Sequence, residues 1–420
     1  MSEHITKPVA IVLGGTRPHV ALIDNLRARG FYTVLVDYYD NPPARAAADE
    51  HIRESALDQD AVLVIARKLN ARLVISACVD QANVTAVYVA ERLGLRAPYS
   101  YETALTMSQK SLMKAVMREN DIPTSPFRVL TQEEELGNLD LPYPLIVKPV
   151  DSNGSKGVRR VDNAEQLRSG FEKALAVSRC GQVIVEGFCN GVDVAVDCFV
   201  NEGVCKVLTL RRKYDLPPTS ETVINGYASV SPAQVSEAAR KNIEAVVAKV
   251  THAFRLRTTA LLIQFMVDGD EASVIELAPR IGGGLNFRTV LLGTGFDILD
   301  ATVSSYLGET VCVELAQREH VLLTTHVFAS PGRFREVTGQ EDLLEQGIID
   351  EFYRHKTMGM TIGASLSSGD RACSFIIRAG SLAEAMERNE YAMSSLAVLD
   401  ESGKDIMRHD IHLRWQNISG

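Results

Sequence analysis

The sequence contains no uninterrupted apolar run approaching the roughly 18 residues that cross a bilayer, and residues 1–8 show no basic stretch followed by apolar residues. We therefore expect neither membrane insertion nor export. The seven cysteines include no Cys-x-x-Cys pair, which predicts reduced thiols and favours a cytoplasmic protein. Basic residues are not in excess: the net charge is −9, which argues against nucleic acid and anionic membranes as partners.

A regular alternation of strand and helix patterns fills the first hundred residues. Short β-branched runs at 9–13, 33–37 and 73–76 are separated by amphipathic helical patterns, and Gly30 and Gly94 follow helix ends. This alternation is typical of a doubly wound α/β domain with a parallel sheet. Because the chain has 420 residues, 46% of them hydrophobic, we expect two or three domains.

The pattern changes near Met107, where we place a domain boundary. Beyond it, strands outnumber helices and predict an α+β layer. Two of these strands, 260–267 and 272–277, flank the acidic turn 268–271 and are predicted to form an antiparallel hairpin. The last hundred residues have the pattern of a smaller α/β appendage. The predicted fold class is therefore α/β and α+β.

The strongest local signal is a strand that ends in Lys148 and runs into a loop of small residues. A second strand follows this loop, which consists of Asp151, Ser152, Asn153, Gly154, Ser155, Lys156 and Gly157. Glycine and serine let backbone N–H groups approach phosphate oxygens, and lysine supplies a positive charge, so the segment is a candidate polyphosphate site. It has neither the spacing nor the helix of a P-loop. A mobile hairpin loop that binds nothing is the alternative.

Another predicted strand ends at Glu186, Gly187 and Phe188, at a place where a flat base could insert between domains. Asp193, shortly after this strand, offers a carboxylate that could accept hydrogen bonds from ribose hydroxyls. Taken alone, acids of this kind are far more often solvated loop residues than ribose ligands.

In the predicted hairpin, Gln264 and Glu276 are equidistant from position 270 and should face each other on one side of the sheet. Two oxygen donors placed in this way can share a hard cation. Magnesium prefers oxygen ligands and leaves room for substrate phosphates, which suits a sparse protein site. A buried, hydrogen-bonded Gln–Glu pair is the alternative.

The second hairpin strand runs out into Arg280 and three glycines that lead into a helix. Arginine binds carboxylates and acyl phosphates through two hydrogen bonds, and Gly283 and Gly284 allow backbone amides to face an anion. Arg288 either extends this anion site or forms a surface salt bridge.

The order of these motifs resembles that of the ATP-grasp superfamily. The chain looks most like carboxylate–amine ligases of the amino-acid ligase type, and it is also similar to carbamoyl-phosphate synthase and biotin carboxylase. The resemblance covers nearly the whole chain and rests on Lys110, Lys148, the 151–157 loop, Glu186, Asp193, Arg211 or Lys213, Gln264, Glu276 and Arg280. It implies an ATP-grasp fold with an N-terminal α/β domain (1–107), a lid (108–190), a core with the metal site (191–319) and a C-terminal α+β appendage (320–420).

For the nucleotide, the resemblance implies that Lys110 and Lys148 contact the ATP phosphates and that the 151–157 loop closes over them. Glu186, with the backbone of Gly187 and Phe188, would meet the adenine. Asp193 would meet the ribose.

For the metal and the chemistry, the resemblance implies that Gln264 and Glu276 hold Mg²⁺, with Mn²⁺ as an alternative. Arg211 or Lys213 would approach the transferred phosphate, and Arg280 would steady the carboxylate and then the acyl phosphate. The resemblance does not choose between Arg211 and Lys213.

Two positions depart from the family pattern. Family members usually carry an acid where this chain has Gln264, although the carbamoyl-phosphate synthase branch uses glutamine there. They usually carry Asn where this chain has Ala278. The missing Asn side chain removes one metal ligand.

The activity implied by the resemblance is that of an ADP-forming ligase, which activates a small carboxylate as an acyl phosphate and joins it to an amine. A homodimer is one expected assembly. A carboxylase-like enzyme that activates bicarbonate and a non-catalytic nucleotide-binding regulator are the alternatives. The segment Gly14-Gly15 mimics a dinucleotide-binding entry, but no third glycine follows at the required spacing. This loop is either a plain turn or a segment that faces the second substrate.

Overall fold

The computed structural model describes residues 6–152, 157–216, 226–316, 318–364 and 366–412. Its N-terminal unit consists of β1 (Val9–Leu13), α1 (Arg17–Ala28), β2 (Tyr32–Val36), β3 (Glu50–Ile52), α2 (Gln59–Lys68), β4 (Leu73–Ile75) and α3 (Asp80–Leu93). The four strands are parallel, in the order β3-β2-β1-β4. Apolar clusters with α1 on one face and with α2 and α3 on the other bury this sheet, so the predicted doubly wound unit is confirmed.

Two short helices follow, and only the second coincides with the helix that the sequence predicts over 108–120. They are α4 (Tyr101–Ser108) and α5 (Lys110–Glu119), separated by Gln109, whose extended backbone breaks the helical path. Met113 and Met117 of α5 are buried in the core of the main sheet. Helix α5 is thereby anchored to that sheet, and its first residue, Lys110, has a fixed position above it.

The segment from 127 to 187 forms a separate antiparallel sheet in the order β5-β8-β6-β7. Its elements are β5 (Phe127–Leu130), a 3-10 helix (Glu133–Asn138), β6 (Leu145–Pro149), β7 (Arg159–Val161), α6 (Ala164–Val177) and β8 (Val183–Gly187). Phe171 and Leu167 of α6 pack on the buried side of these strands. The sheet carries Lys148 near the end of β6 and Glu186 near the end of β8.

The main sheet contains eight strands in the order β13-β12-β9-β10-β11-β14-β18-β16, with antiparallel neighbours throughout. Its strands are β9 (Val192–Asn201), β10 (Val204–Asp215), β11 (Gly226–Ser231), β12 (Thr259–Asp268), β13 (Glu271–Ala278), β14 (Val321–Phe328), β16 (Glu351–Arg354) and β18 (Arg371–Ala379). Its helices are α7 (Glu237–Ala253), α8 (Asn286–Thr294), α9 (Ile298–Leu307) and α11 (Leu382–Ser395). Strands from the last hundred residues therefore extend the central sheet.

The remaining elements form a small sheet beside it, in the order β17-β15-β19. They are β15 (Gly332–Thr338), α10 (Gln340–Glu345), β17 (Thr361–Ile362), a 3-10 helix (Ser368–Asp370) and β19 (Ala397–Asp400). All seven cysteines are free thiols, as the sequence predicted. Within the described ranges, no helix is both long enough and apolar enough to cross a membrane.

One face of the main sheet is apolar and the other carries most of the candidate site residues. On the apolar face, Val194, Val196 and Ile263 pack against α5 and α7. Residues that lie directly opposite each other in an antiparallel ladder share a face. Ala195 lies opposite both Gln264 and Arg211, so these two polar side chains are on the same, non-apolar face.

Candidate functional site

The hairpin of β12 and β13 places Gln264 directly opposite Glu276, as predicted. The last pair before the turn is Asp268 with Glu271, and a regular ladder extended from it would bring Ile275 opposite Gln264. A β-bulge just after Gln264 adds one residue and moves Glu276 into that position. The predicted pairing is therefore correct, and it depends on a bulge that residue spacing alone did not show.

Lys110, the first residue of α5, connects this pair to the candidate phosphate loop. Its ammonium group is buried, lies 3.5 Å from Glu276 Oε1, and donates a hydrogen bond to the carbonyl oxygen of Ser152. Three other loop residues predicted to contact phosphate, Asn153, Gly154 and Ser155, lie outside the described residues. Gly157 closes the loop at φ +76°, a conformation that favours glycine.

Glu186 lies between two buried lysines. Its Oε1 is 2.8 Å from Lys148 Nζ and its Oε2 is 3.2 Å from Lys114 Nζ. Burial alone would raise the pKa of Glu186, but the two lysines outweigh burial and hold that pKa below its ordinary value. Lys114 also donates to Thr124 Oγ1 at 2.7 Å and to Ser125 Oγ at 2.9 Å, which ties α5 to the second sheet.

Sequence reasoning missed Lys114, although a signal for it existed. Lys114 lies four residues after Lys110 on the face of α5 that also carries Met113 and Met117, where a lysine has to be buried with a partner. Gly187 and Phe188, predicted to meet adenine, already donate their N–H groups to the carbonyls of Pro126 and Pro144. Contact with a base there would use other atoms of this segment.

Asp193 and Lys213 form an ion pair at 2.6 Å at the wall of a cavity of about 230 Å³. Asp215 lines the same cavity. Burial would lower the pKa of Lys213, but Asp193 and Asp215 raise it above its usual value. Burial raises the pKa of Asp215. Within the described part of the chain, Asp193 Oδ1 and Asp215 Oδ1 are buried without a hydrogen-bond partner, so the cavity retains acceptor groups.

Arg211 is buried on the same strand and is held by Asp197, which sequence reasoning did not identify. Arg211 Nε donates to Asp197 Oδ2 at 2.7 Å, and Thr209 and Asn286 donate to the same carboxylate. The Nη2 atom of Arg211 is buried and has no hydrogen-bond partner among the described residues. A buried donor of this kind is costly unless a ligand accepts from it.

Arg280 points toward the N-terminal unit and binds Asp80, at the start of α3, through two hydrogen bonds of 2.6 and 2.8 Å. Burial would lower the pKa of Arg280, but Asp80 raises it. Arg288 makes a similar two-bond contact with Glu351, and this hydrogen bonding raises the pKa of Arg288. Both arginines predicted for anion binding are therefore held by internal carboxylates.

Between the two arginines, Gly283 and Gly284 lead into α8, as the sequence predicted. Gly284 has φ +68°, and a Cβ atom there would lie 3.4 Å from His326 Cε1. Gly283 has open space where a side chain would be. The loop therefore exposes backbone toward His326, a residue that the sequence did not single out.

The structure brings Lys110, Glu276 and Gln264 together, and the main sheet carries Arg211, Lys213 and Asp193 on nearby strands. Lys148 and Glu186 belong to the four-stranded sheet β5-β8-β6-β7. Within the described ranges, no three or more His, Cys, Asp or Glu side chains are grouped to hold a metal ion.

Residues 141–288 match the family model described as an ATP-grasp domain. Together with the likeness to solved structures given below, this match confirms the predicted ATP-grasp fold.

Among curated proteins, the chain is similar to the formate-dependent phosphoribosylglycinamide formyltransferase of Synechococcus sp. (strain WH7803), with 26% identity over 81% of this chain and 87% of the relative. Among solved structures, it resembles the L-amino acid ligase of Bacillus licheniformis, with a TM-score of 0.77, 19% identity, and coverage of 94% of this chain and 99% of that one.

A further solved structure with a TM-score of 0.77 is the biotin carboxylase domain of Hydrogenobacter thermophilus 2-oxoglutarate carboxylase, in complex with MgADP, ADP and bicarbonate. It is 15% identical and covers 97% of this chain and 93% of that one. These comparisons confirm the prediction of an ATP-dependent, carboxylate–amine ligase-like enzyme.

Proposed function

We propose that this protein joins a small carboxylate to an amine through an acyl phosphate, with release of ADP and phosphate. The observation that carries the proposal is the Lys110–Glu276–Gln264 group, which places a cation and two oxygen donors beside the small-residue loop. The relatives support the same reaction class, since formate is a carboxylate and the formyltransferase carries it to an amine-bearing molecule. An amino-acid ligase likewise joins a carboxylate to an amine.

In this proposal, the nucleotide binds between the eight-stranded main sheet and the four-stranded sheet β5-β8-β6-β7. Lys148 and Lys110 face the phosphates, with Ser152 and Gly157 beside them. Glu186, Gly187 and Phe188 lie toward the base, and Asp193 lies toward the ribose. The buried acceptor oxygen of Asp193 supports this assignment, because a ribose hydroxyl would satisfy it.

Magnesium fits the donor set of Gln264 and Glu276, and Mn²⁺ is an alternative because it accepts the same oxygen ligands. The Glu276 side chain is 33% exposed, so ligand oxygens have access to it. When bound, the metal supplies positive charge that stabilises the phosphoryl oxygens during transfer.

The reaction needs two displacements. A carboxylate oxygen attacks the γ-phosphorus of ATP and the bond to ADP breaks, while Arg211 or Lys213 stabilises the transferred group. Arg280, with the backbone of Gly283 and Gly284, then holds the acyl phosphate. The amine nitrogen attacks the acyl carbon, phosphate leaves with the bonding electrons, and the nitrogen loses a proton. Exclusion of water from the site protects the acyl phosphate.

A screen for ADP and phosphate release tests the proposal, with acids (formate, amino acids, bicarbonate) crossed against amines. We expect release that requires both an acid and an amine. Release with bicarbonate and no amine would instead support a carboxylase-like enzyme. ATP binding without turnover in any mixture would support a regulator. Sedimentation of the purified chain tests the expected homodimer.

A further inference from the structure

The two faces of the four-stranded sheet β5-β8-β6-β7 carry different side chains. Val147 and Val185 belong to the apolar cluster that includes α6. Because side chains alternate along a strand, Lys148 and Glu186 lie on the opposite face. Ile146 is directly opposite Glu186 in the ladder and therefore shares this face. The face turned away from α6 thus combines two charged side chains with an apolar one.

Lys114 reaches this face from α5, and its side chain is completely buried. Its ammonium group donates to Thr124 Oγ1 at 2.7 Å and to Ser125 Oγ at 2.9 Å. The same nitrogen lies 3.2 Å from Glu186 Oε2. An ammonium group has three N–H donors and no acceptor, so each donor has a protein partner. Lys114 therefore has no donor left for a ligand and can act on one only through Glu186.

The two hydroxyl partners of Lys114 are themselves held in place. Ser125 Oγ donates to Glu186 Oε2 at 3.1 Å, and Thr124 Oγ1 donates to the carbonyl oxygen of Val274 at 2.7 Å. Thr124 and Val274 also form a parallel β-bridge, which joins this segment to β13. We call Lys114, Thr124 and Ser125 the clamp. It is attached to the main sheet through α5 and β13, and it holds a carboxylate of the other sheet.

The two carboxylate oxygens of Glu186 differ as a result. Oε2 contacts Lys114 and Ser125, which fix its position. Oε1 is buried and accepts no hydrogen bond from the described residues, although Lys148 Nζ lies 2.8 Å away. A buried acceptor without an aligned donor is unfavourable in the free protein. A ligand N–H group that reaches Oε1 therefore gains a charge-assisted hydrogen bond.

The neighbours of Glu186 also keep its carboxyl group ionised. Burial would raise the pKa of Glu186, but Lys148 of β6 and then Lys114 of α5 outweigh burial and lower it. The thiol of Cys189, just after β8, is the third titratable group here. Burial raises the pKa of this thiol, which is therefore uncharged at neutral pH. Glu186 is thus an anion that accepts hydrogen bonds and cannot donate one.

We propose that Lys114 is a positioning residue that sets the base selectivity of the nucleotide site. It holds Oε2 of Glu186 so that Oε1 accepts a hydrogen bond from the amino group at position 6 of a purine. A 6-oxo purine would place a carbonyl oxygen against the same carboxylate, and two acceptors repel each other. This inference rests on the ligase function proposed above, in which Glu186 lies toward the base, and it adds the residue that orients Glu186.

The first test measures the dissociation constants of ATP and ITP by calorimetry, with Mg²⁺ present and without acid or amine, so that turnover is not needed. ITP is the matched ligand, because it differs from ATP only at position 6 and the adjacent ring nitrogen. We expect the wild-type chain to bind ATP at least about tenfold more tightly than ITP. Equal affinities would overturn this inference and leave the ligase function standing. Failure of both nucleotides to bind would contradict both.

The second test compares K114M and S125A with K173M, which replaces an exposed lysine of α6. ATP and ITP share the ribose and the triphosphate, so the ratio of their dissociation constants isolates the base. General damage to the site changes both constants and leaves this ratio unaltered. We expect the ratio to fall at least about fivefold in K114M, to fall less in S125A and to stay constant in K173M. An unchanged ratio in a folded K114M would refute the role of Lys114. If circular dichroism shows that K114M does not fold, an unchanged ratio in S125A refutes the clamp.

The third test follows the same ratio in K114M between about pH 8 and pH 5. Without Lys114, burial is opposed by Lys148 alone, so the pKa of Glu186 rises. A protonated Glu186 can donate to a 6-oxo group but no longer accepts as an anion. We therefore expect acid to weaken ATP and strengthen ITP in K114M, whereas the wild-type ratio stays constant. Parallel changes of the two nucleotides in K114M would contradict the proposal.

Discussion

Lys114, Glu186 and Lys148 form a buried charged group. From it we predict that K114M destabilises the wild-type protein but stabilises the E186Q variant. The group holds two positive charges and one negative charge, all at most 5% exposed. In the wild type, K114M removes one partner of Glu186 but leaves a balanced Glu186–Lys148 pair at 2.8 Å. We expect K114M to cost about 1–3 kcal/mol, because Thr124 Oγ1, Ser125 Oγ and Glu186 Oε2 all lose a buried hydrogen-bond donor or cation.

E186Q should cost more than K114M, because it leaves two buried lysines without a carboxylate. A lysine with the ordinary pKa of 10.5 can lose its proton instead, which costs about 5 kcal/mol at pH 7 and sets an upper limit. In the E186Q background, K114M removes one unpaired cation and should therefore stabilise the protein by at least about 1 kcal/mol.

Urea unfolding of the four proteins, followed by circular dichroism at pH 7, measures this cycle. K114M is expected to lower the unfolding midpoint of the wild type and to raise that of E186Q. If K114M lowers both midpoints by the same amount, Lys114 and Glu186 are not coupled, and the account of this buried group is wrong. The control K173M replaces a solvent-exposed lysine of α6 and should change neither midpoint.

Three further predictions concern the candidate site. K148A and E276A should each lower ADP release at least about 100-fold, whereas E271A, at the exposed end of the same hairpin, should not; wild-type rates in either variant would contradict the site assignment. A278N adds an oxygen donor two residues from Glu276 on the same face, so the Mg²⁺ concentration for half-maximal activity should fall on the order of tenfold. Because the pKa of His355 is about 3 when folded and about 6.5 when unfolded, stability should fall by about 1.4 kcal/mol per pH unit below pH 6.5, and H355Q should reduce this slope.

Local patterns were sufficient to predict the N-terminal unit and the hairpin. Strand β1 lies at the predicted residues 9–13, because a run of buried β-branched residues between turn signals has few other interpretations. Helix α1 starts at Arg17, because a proline in the first helical turn is tolerated. Helix α5 matches the helix that the sequence predicts over 108–120, whereas α4 was not predicted, because no glycine or proline marks its end at Gln109.

In the candidate site, too, local contacts could be predicted from the sequence, whereas contacts that depend on tertiary packing could not. Gln264 and Glu276 belong to one hairpin, so counting residues from the turn predicted that they pair. The β-bulge on which this pairing depends could not be predicted from the residues that form it. Lys110 could be placed near Glu276 only by resemblance, because 166 residues separate them and tertiary packing of α5 determines the contact. The internal partners Asp80, Asp197 and Glu351 were missed for the same reason.

The group of His326, His355 and Ser374, in which both imidazoles lie 2.6 Å from Ser374 Oγ, shows why contacts between distant segments are harder to predict than a local motif. His326 and Ser374 lie on β14 and β18 and His355 follows β16, so the order of these strands in the sheet, β14-β18-β16, differs from their order in the chain. Their contacts also require that these C-terminal strands extend the central sheet. Motifs for phosphate binding are local because backbone amides of one loop can surround a phosphate. A group built from side chains of distant segments depends instead on sheet topology, which the spacing of residues along the chain does not reveal.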